Sequence, residues 1–178
     1  DDARKVPAVV GFTARLLRSK TSVPAEEDWR PDPDAPEGMQ ATDDDYKGSG
    51  YNRGHLAPAK TFSFSCEAEM STYTWLNAAP QQPESNKYVW IHTERFLRQY
   101  LAAHPGHDAH VLVGTWFDPG RKRSKSIGEG VGVPDAYWTA AWDPSSKNAD
   151  NTRGNGWGFV VENTKPRKLK AGYPSPDL

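Results

Sequence analysis

Fifteen prolines and fifteen glycines, 30 of the 178 residues, punctuate this chain so often that few stretches can sustain a long helix, and one of these carries an amphipathic helical pattern. That spacing favours short strands joined by many turns over a helical bundle. The surviving stretch runs from Ser85 or Asn86 to about Ala103. Its Val89, Phe96, Leu97, Tyr100 and Leu101 fall on one helical face, and Pro105-Gly106 supplies the stop. Ala109–Phe117 is β-branched and apolar and reads as a central strand, with further strands over 133–142 and 156–162. Val6–Leu17 suits one buried strand or a short helix, and Ser71–Asn77 alternates Tyr73, Trp75 and Asn77 against Thr74 and Leu76, again a strand pattern. Strands outnumber helices without βαβ alternation. The expected class is α+β with a mainly antiparallel central sheet flanked by helices, in one domain over 1–178.

Seven Trp, seven Tyr and six Phe supply a core, so a disordered chain is excluded. The single cysteine, Cys66, excludes an internal disulfide framework and a cysteine zinc cage, and reads as an inert buried thiol. The net charge of −1 advertises no nucleic-acid or membrane partner by itself, and no apolar run approaches a membrane span. The charge is unevenly placed: residues 1–45 hold 6 basic and 11 acidic side chains, and 46–178 hold 16 and 12. The acidic stretch Glu26–Asp45, with prolines at 31, 33 and 36, reads as a solvated surface loop. No signal-peptide pattern is present, so any leader is expected to precede Asp1.

Two segments carry chemistry. Asn52-Arg53-Gly54-His55 sets a guanidinium, able to grip phosphate oxygens, beside an imidazole able to accept a proton near neutral pH. Taken alone, such a histidine in a turn is ordinarily structural. Along the helix, Asn86 offers a hard neutral oxygen suited to Mg²⁺, and Glu94 a carboxylate that can hold the ion's waters. Taken alone, Glu94 and Arg98 read as an exposed i,i+4 ion pair.

Together, Tyr51-Asn-Arg-Gly-His-Leu-Ala-Pro, Leu76-Asn-Ala-Ala-Pro-Gln, Asn86, Trp90 and Glu94 resemble the DNA/RNA non-specific endonucleases, the ββα-metal or His-Me finger nucleases that include endonuclease G. Trp29-Arg-Pro-Asp-Pro, Asp45-Tyr46, Val113-Gly-Thr and Val133-Pro-Asp-Ala-Tyr-Trp extend the similarity over residues 29–142. The resemblance implies that a ββα-metal finger holds the active site. His55 would be the general base and Asn86 the direct Mg²⁺ ligand, with Mn²⁺ as a substitute. Glu94 would fix the ion's waters, Arg53 and Arg98 would contact phosphate or brace the site, and Asn77 would orient the imidazole. DNA and RNA are the implied substrates, 5′-phosphate and 3′-hydroxyl ends the implied products, and export the implied location. Position 52 departs from the family's usual aspartate, and only Arg30 stands where the family carries an upstream arginine. The base must be neutral, so activity is expected to rise through an ordinary histidine pKa of about 6.5.

Arg121, Lys122, Arg123 and Lys125, and the run Lys165–Lys170, are either solvated loops or contacts to remote phosphates. His104, His107 and His110 read as a solvated loop rather than a metal site, and Gly128-Glu-Gly-Val-Gly lacks the following helix that a dinucleotide fingerprint needs. Two rivals share the fold: a catalytically silent nucleic-acid-binding module, and a toxin-type nuclease controlled by an inhibitor protein.

Overall fold

The computed structural model describes residues 3–16, 28–36, 38–121, 124–147 and 153–165. Its largest sheet has four strands in the order β1-β4-β7-β8: β1 (Val9–Arg15), β4 (Asp108–Trp116), β7 (Ala136–Lys147) and β8 (Arg153–Glu162), every pair antiparallel. A hairpin of β5 (Lys125–Ile127) and β6 (Val131–Val133) stands apart, and the Gly128–Gly130 run forms its turn. The α+β expectation holds. β1 is a strand, but an edge strand with only Ala14 fully buried.

The long helix packs on one face of the sheet. It comprises α3 (Pro83–Ser85), a π-helical turn (Asn86–Trp90) and α4 (Ile91–Ala103). Phe96 meets Trp157 and Phe159 edge to face, and Trp90 packs on Tyr137. The opposite face leaves Val9, Leu112, Trp116, Trp142 and Val160 exposed. His104 closes the helix, and Gly106 takes the left-handed φ of 84° that reverses the chain into β4.

A second, two-stranded sheet bears on function. β2 (Asn52–His55) pairs antiparallel with β3 (Ala78–Gln81), placing His55 opposite Ala78 and Arg53 opposite Pro80. Gly54 is required here by close approach, because a Cβ would sit 2.4 Å from Gln81 Oε1 and 3.1 Å from the Ala79 carbonyl. The chain runs from β3 directly into the long helix, completing a β2-β3-helix unit.

Three expectations are corrected. Residues 71–77 are not a strand: they turn into a 3₁₀ helix, Trp75–Asn77, with the Asn77 N–H donating to the Thr74 carbonyl. Trp75 and Asn77 are buried and Leu76 exposed, as alternation required, but the strand itself begins one residue later. Cys66 is half-buried, at the start of α2 (Cys66–Met70), rather than buried. The acidic segment is not all solvated loop: Asp43–Tyr46 forms α1, and Asp45 and Tyr46 are buried.

Asp45 is the anchor of that turn. Its carboxylate accepts the backbone N–H and hydroxyl of Thr42, both at 2.8 Å, and the Glu129 N–H at 2.6 Å. Burial alone would raise its pKa, but these donors outweigh burial and lower it. Asp45→Ala should cost about 3 kcal/mol, read from urea unfolding at pH 7. A lowered carboxylate pKa stabilises the fold above the unfolded value, and that contribution disappears as pH falls through the folded value. Wild type and variant should therefore converge in acid, and a constant gap down to pH 2 would refute this account.

Candidate active site

His55 ends β2, and Asn86 opens the π-helical turn that follows β3, so one ββα unit delivers both. They line a cleft of about 420 Å³ with Trp29, Tyr46, Tyr51, Asn52 and Arg53. The helix entrance is fixed from the far edge of the main sheet. Asn163 accepts the Gln82 N–H and donates to the Pro80 and Pro134 carbonyls, while Ser85 donates to the Glu162 carbonyl. The Asn86 side chain makes no hydrogen bond with a described residue, so its carbonyl oxygen is available to a ligand.

The His55 ring lies between Trp29 and Tyr73, with centroids 4.5 and 4.8 Å away. Its Nε2 is buried without a hydrogen-bond partner among the described residues, which leaves Nδ1 as the nitrogen open to the cleft. Burial lowers its pKa to about 4. The ring is thus neutral, as a base must be, but the expectation of an ordinary value near 6.5 is corrected downward.

Arg53 is held by three neighbours: Asp43 Oδ1 accepts from its Nη2, and the guanidinium carbon lies 5.9 Å from both the Tyr46 and Trp75 ring centroids. A guanidinium has five N–H donors, so the Asp43 contact leaves donors for a phosphate. Asn52, opposite Gln81 in the register, also reaches the cleft.

Glu94 and Arg98 do not line this cleft. Glu94 lines a narrow cavity with Leu56, Pro58, Trp90 and Thr93. On a straight α-helix Asn86 and Glu94 would point about 80° apart. The wider π turn between them turns the chain less per residue and brings them closer to one line. Burial raises the Glu94 pKa to about 7, against the pull of Arg98 and Lys60. Arg98 Nη1, itself buried, lies 3.8 Å from Glu94 Oε2, so the pair is not the exposed one its spacing alone suggests.

Asn77 requires a correction. Its amide donates to the Ala57 and Thr72 carbonyls and accepts the Ala57 N–H at 2.8 Å. It braces the chain just after His55 and makes no hydrogen bond to the imidazole. Arg30 donates to the Met70 carbonyl at the end of α2. Arg121 pairs with Asp135 at 2.9 Å and Lys125 sits exposed on β5, whereas Lys122, Arg123 and residues 166–170 lie outside the described residues. The histidine run is not a solvated loop: His107 Nδ1 lies 2.7 Å from Asp143 Oδ2, which also accepts the Tyr100 hydroxyl. Among the described residues no cluster of three His, Cys, Asp or Glu could hold a metal.

Sequence reasoning missed Asn163 and the two rings around His55. Trp29 was legible only as part of a motif. Tyr73 was visible through its alternation with Trp75, though not its partner.

The family model for DNA/RNA non-specific endonucleases matches residues 6–171. The chain belongs to that family. Among relatives of this endonuclease-family chain, mitochondrial nuclease EXOG of Xenopus laevis is 39% identical over 101 residues, which cover 55% of this chain and 28% of that protein. A nuclease of Nostoc sp. is 30% identical over 114 residues, 64% of this chain and 39% of that protein. Human mitochondrial endonuclease G is 35% identical over 92 residues, 52% of this chain and 30% of that protein. The matched stretches thus span well under half of these relatives. A solved EndoG/EndoGI complex, described as showing the mechanism of EndoG inhibition, superposes with a TM-score of 0.77 over 92% of this chain and 69% of that one, at 20% identity. The shared fold is that of the endonuclease family.

Proposed function

We propose that this chain is a metal-dependent endonuclease that hydrolyses phosphodiester bonds of DNA and RNA without distinguishing the sugar. The observation that carries the reading is the delivery of a neutral His55 and an uncommitted Asn86 to one cleft by a single ββα unit. His55 Nδ1 takes the proton from a water whose oxygen attacks phosphorus. The P–O3′ bond breaks and the departing 3′-oxygen takes a proton from solvent water, leaving a 3′-hydroxyl and a 5′-phosphate. Arg53 offers N–H donors to the phosphoryl oxygens as their negative charge grows.

The donor set suits a mostly hydrated Mg²⁺: one neutral amide oxygen from Asn86, with the Glu94 carboxylate further along the same helix. When bound, such an ion supplies the positive charge that stabilises the phosphoryl and leaving oxygens. Mn²⁺, with the same preference for oxygen donors, is the proposed substitute. An inhibitor protein is a proposed partner, in line with the inhibitor complex of the fold relative.

Digestion of supercoiled plasmid and of structured RNA, with Mg²⁺ and with EDTA, tests the reading. Both substrates should be cut internally with Mg²⁺, and neither with EDTA. Binding without cleavage would favour the silent module, and undiminished cutting in EDTA would remove the metal.

A further inference from the structure

His55 lacks the support that a proton-accepting imidazole ordinarily has. Such a ring is oriented through its second nitrogen, which donates to a carboxylate or a backbone carbonyl. Here Nε2 is buried with no hydrogen-bond partner among the described residues. Two aromatic rings flank the imidazole. Trp29 lies at 4.5 Å with planes inclined by 49°, and Tyr73 at 4.8 Å and 90°. These two meet each other edge to face at 5.4 Å, and Trp29 also stacks on Trp75 at 5.5 Å.

Both rings are set by contacts that do not involve His55. The Arg30 N–H donates to the Tyr73 carbonyl and the Trp75 N–H to the Arg30 carbonyl, stitching the residue after Trp29 to the 73–75 segment. Trp29 is only 7% exposed. The three rings therefore come from separate stretches of chain around 29, 55 and 73, and meet beside the cleft.

We propose that Trp29 and Tyr73 are positioning residues that clamp His55 in place of the absent hydrogen-bond partner, holding Nδ1 toward the cleft. The proposal rests on the reading of His55 as the base. A neutral ring with an accepting Nδ1 carries its hydrogen on Nε2, the buried nitrogen. A carboxylate partner would favour the charged ring at all times. Burial between two neutral rings does not, and burial is the sole cause of the lowered pKa.

The test compares Trp29→Phe, Trp29→Leu, Tyr73→Phe and Tyr73→Leu in steady-state cleavage of a defined DNA duplex with Mg²⁺. NMR titration of His55 in the metal-free protein accompanies it. The Leu variants should lose about tenfold in kcat, with KM within about twofold, and the Phe variants should regain most of the loss. The His55 titration should move from about 4 toward 6.5 in the Leu variants and little in the Phe variants. Folded Leu variants with wild-type kcat and an unmoved titration would overturn the clamp, as would equal losses in Phe and Leu. If Trp29→Leu does not fold, Tyr73→Leu, at a half-buried position, carries the same comparison. An active His55→Ala would overturn the base reading itself, whereas a dead His55→Ala beside fully active Leu variants would overturn the clamp alone.

Discussion

His55→Ala should lose about 10²–10⁴-fold in cleavage rate, the range that a general base contributes, and still bind duplex DNA in a metal-free gel-shift assay. Binding should survive because the imidazole acts on water, and Arg53 remains to meet phosphate. A variant keeping more than about a tenth of the wild-type rate would end the base assignment. The substitution is not structurally silent. The ring fills space between Trp29 and Tyr73, so alanine leaves a cavity and should lower the melting temperature. His55→Gln, which fills more of that space, should be as inactive and more stable.

The same pair of proteins exposes the pKa. A histidine lowered to about 4 in the fold and near 6.5 when unfolded takes its proton preferentially in the unfolded state. Its stabilising contribution is complete above about pH 6.5 and is lost as pH falls toward 4, by roughly 3 kcal/mol in all. Glu94 has the opposite sign. Its pKa, raised to about 7, stabilises the fold in acid, and that contribution is lost as pH rises from the ordinary carboxylate value to about 7. The two oppose each other in wild type. The difference in unfolding free energy between wild type and His55→Gln across pH 4–7 isolates the histidine, and a flat difference would show that the ring is not desolvated.

The parts of the molecule legible in the sequence are those encoded locally. The helix over 86–103 shows its period and its Pro-Gly stop, and β4, β7 and β8 show continuous apolar runs. Residues 71–77 misled because a turn entering a 3₁₀ helix buries Trp75 and Asn77 and exposes Leu76, the order that a strand would give. The π turn is hidden for a related reason: one widened turn barely disturbs an apolar stripe, yet it re-aims Asn86 against Glu94. What composition could not show is partnership over distance. Asp45 sits in an acidic run that reads as solvent-facing, but its carboxylate meets the Glu129 N–H 84 residues away. His107 finds Asp143 36 residues on, and Asn163 reaches back 83 residues to Pro80. The residues around His55 belong to the same kind, since nothing near position 29 or 73 announces an imidazole.

Asn86→Ala should cost at least about 10² in Mg²⁺-dependent cleavage, because it removes the one direct protein ligand proposed for the ion. The helix should persist, since the hydrogen bond at this position runs from the Asn86 backbone N–H to the Gln82 carbonyl. Asn86→Asp keeps an oxygen and adds a charge, so it should bind Mg²⁺ at least as tightly and outperform alanine, although the extra charge repels phosphate. Glu94→Gln should do milder harm and carries a pH signature. Below about pH 7 the wild-type carboxyl holds a proton that a cation must displace, so the half-saturating Mg²⁺ concentration should rise as pH falls through 7. In Glu94→Gln that dependence should vanish. Activity against Mg²⁺ concentration at pH 6, 7 and 8 decides among these outcomes. A wild-type curve for Asn86→Ala would make Asn86 a helix residue and nothing more. The histidine run could not then take over unchanged, because His107 is already committed to the buried carboxylate of Asp143.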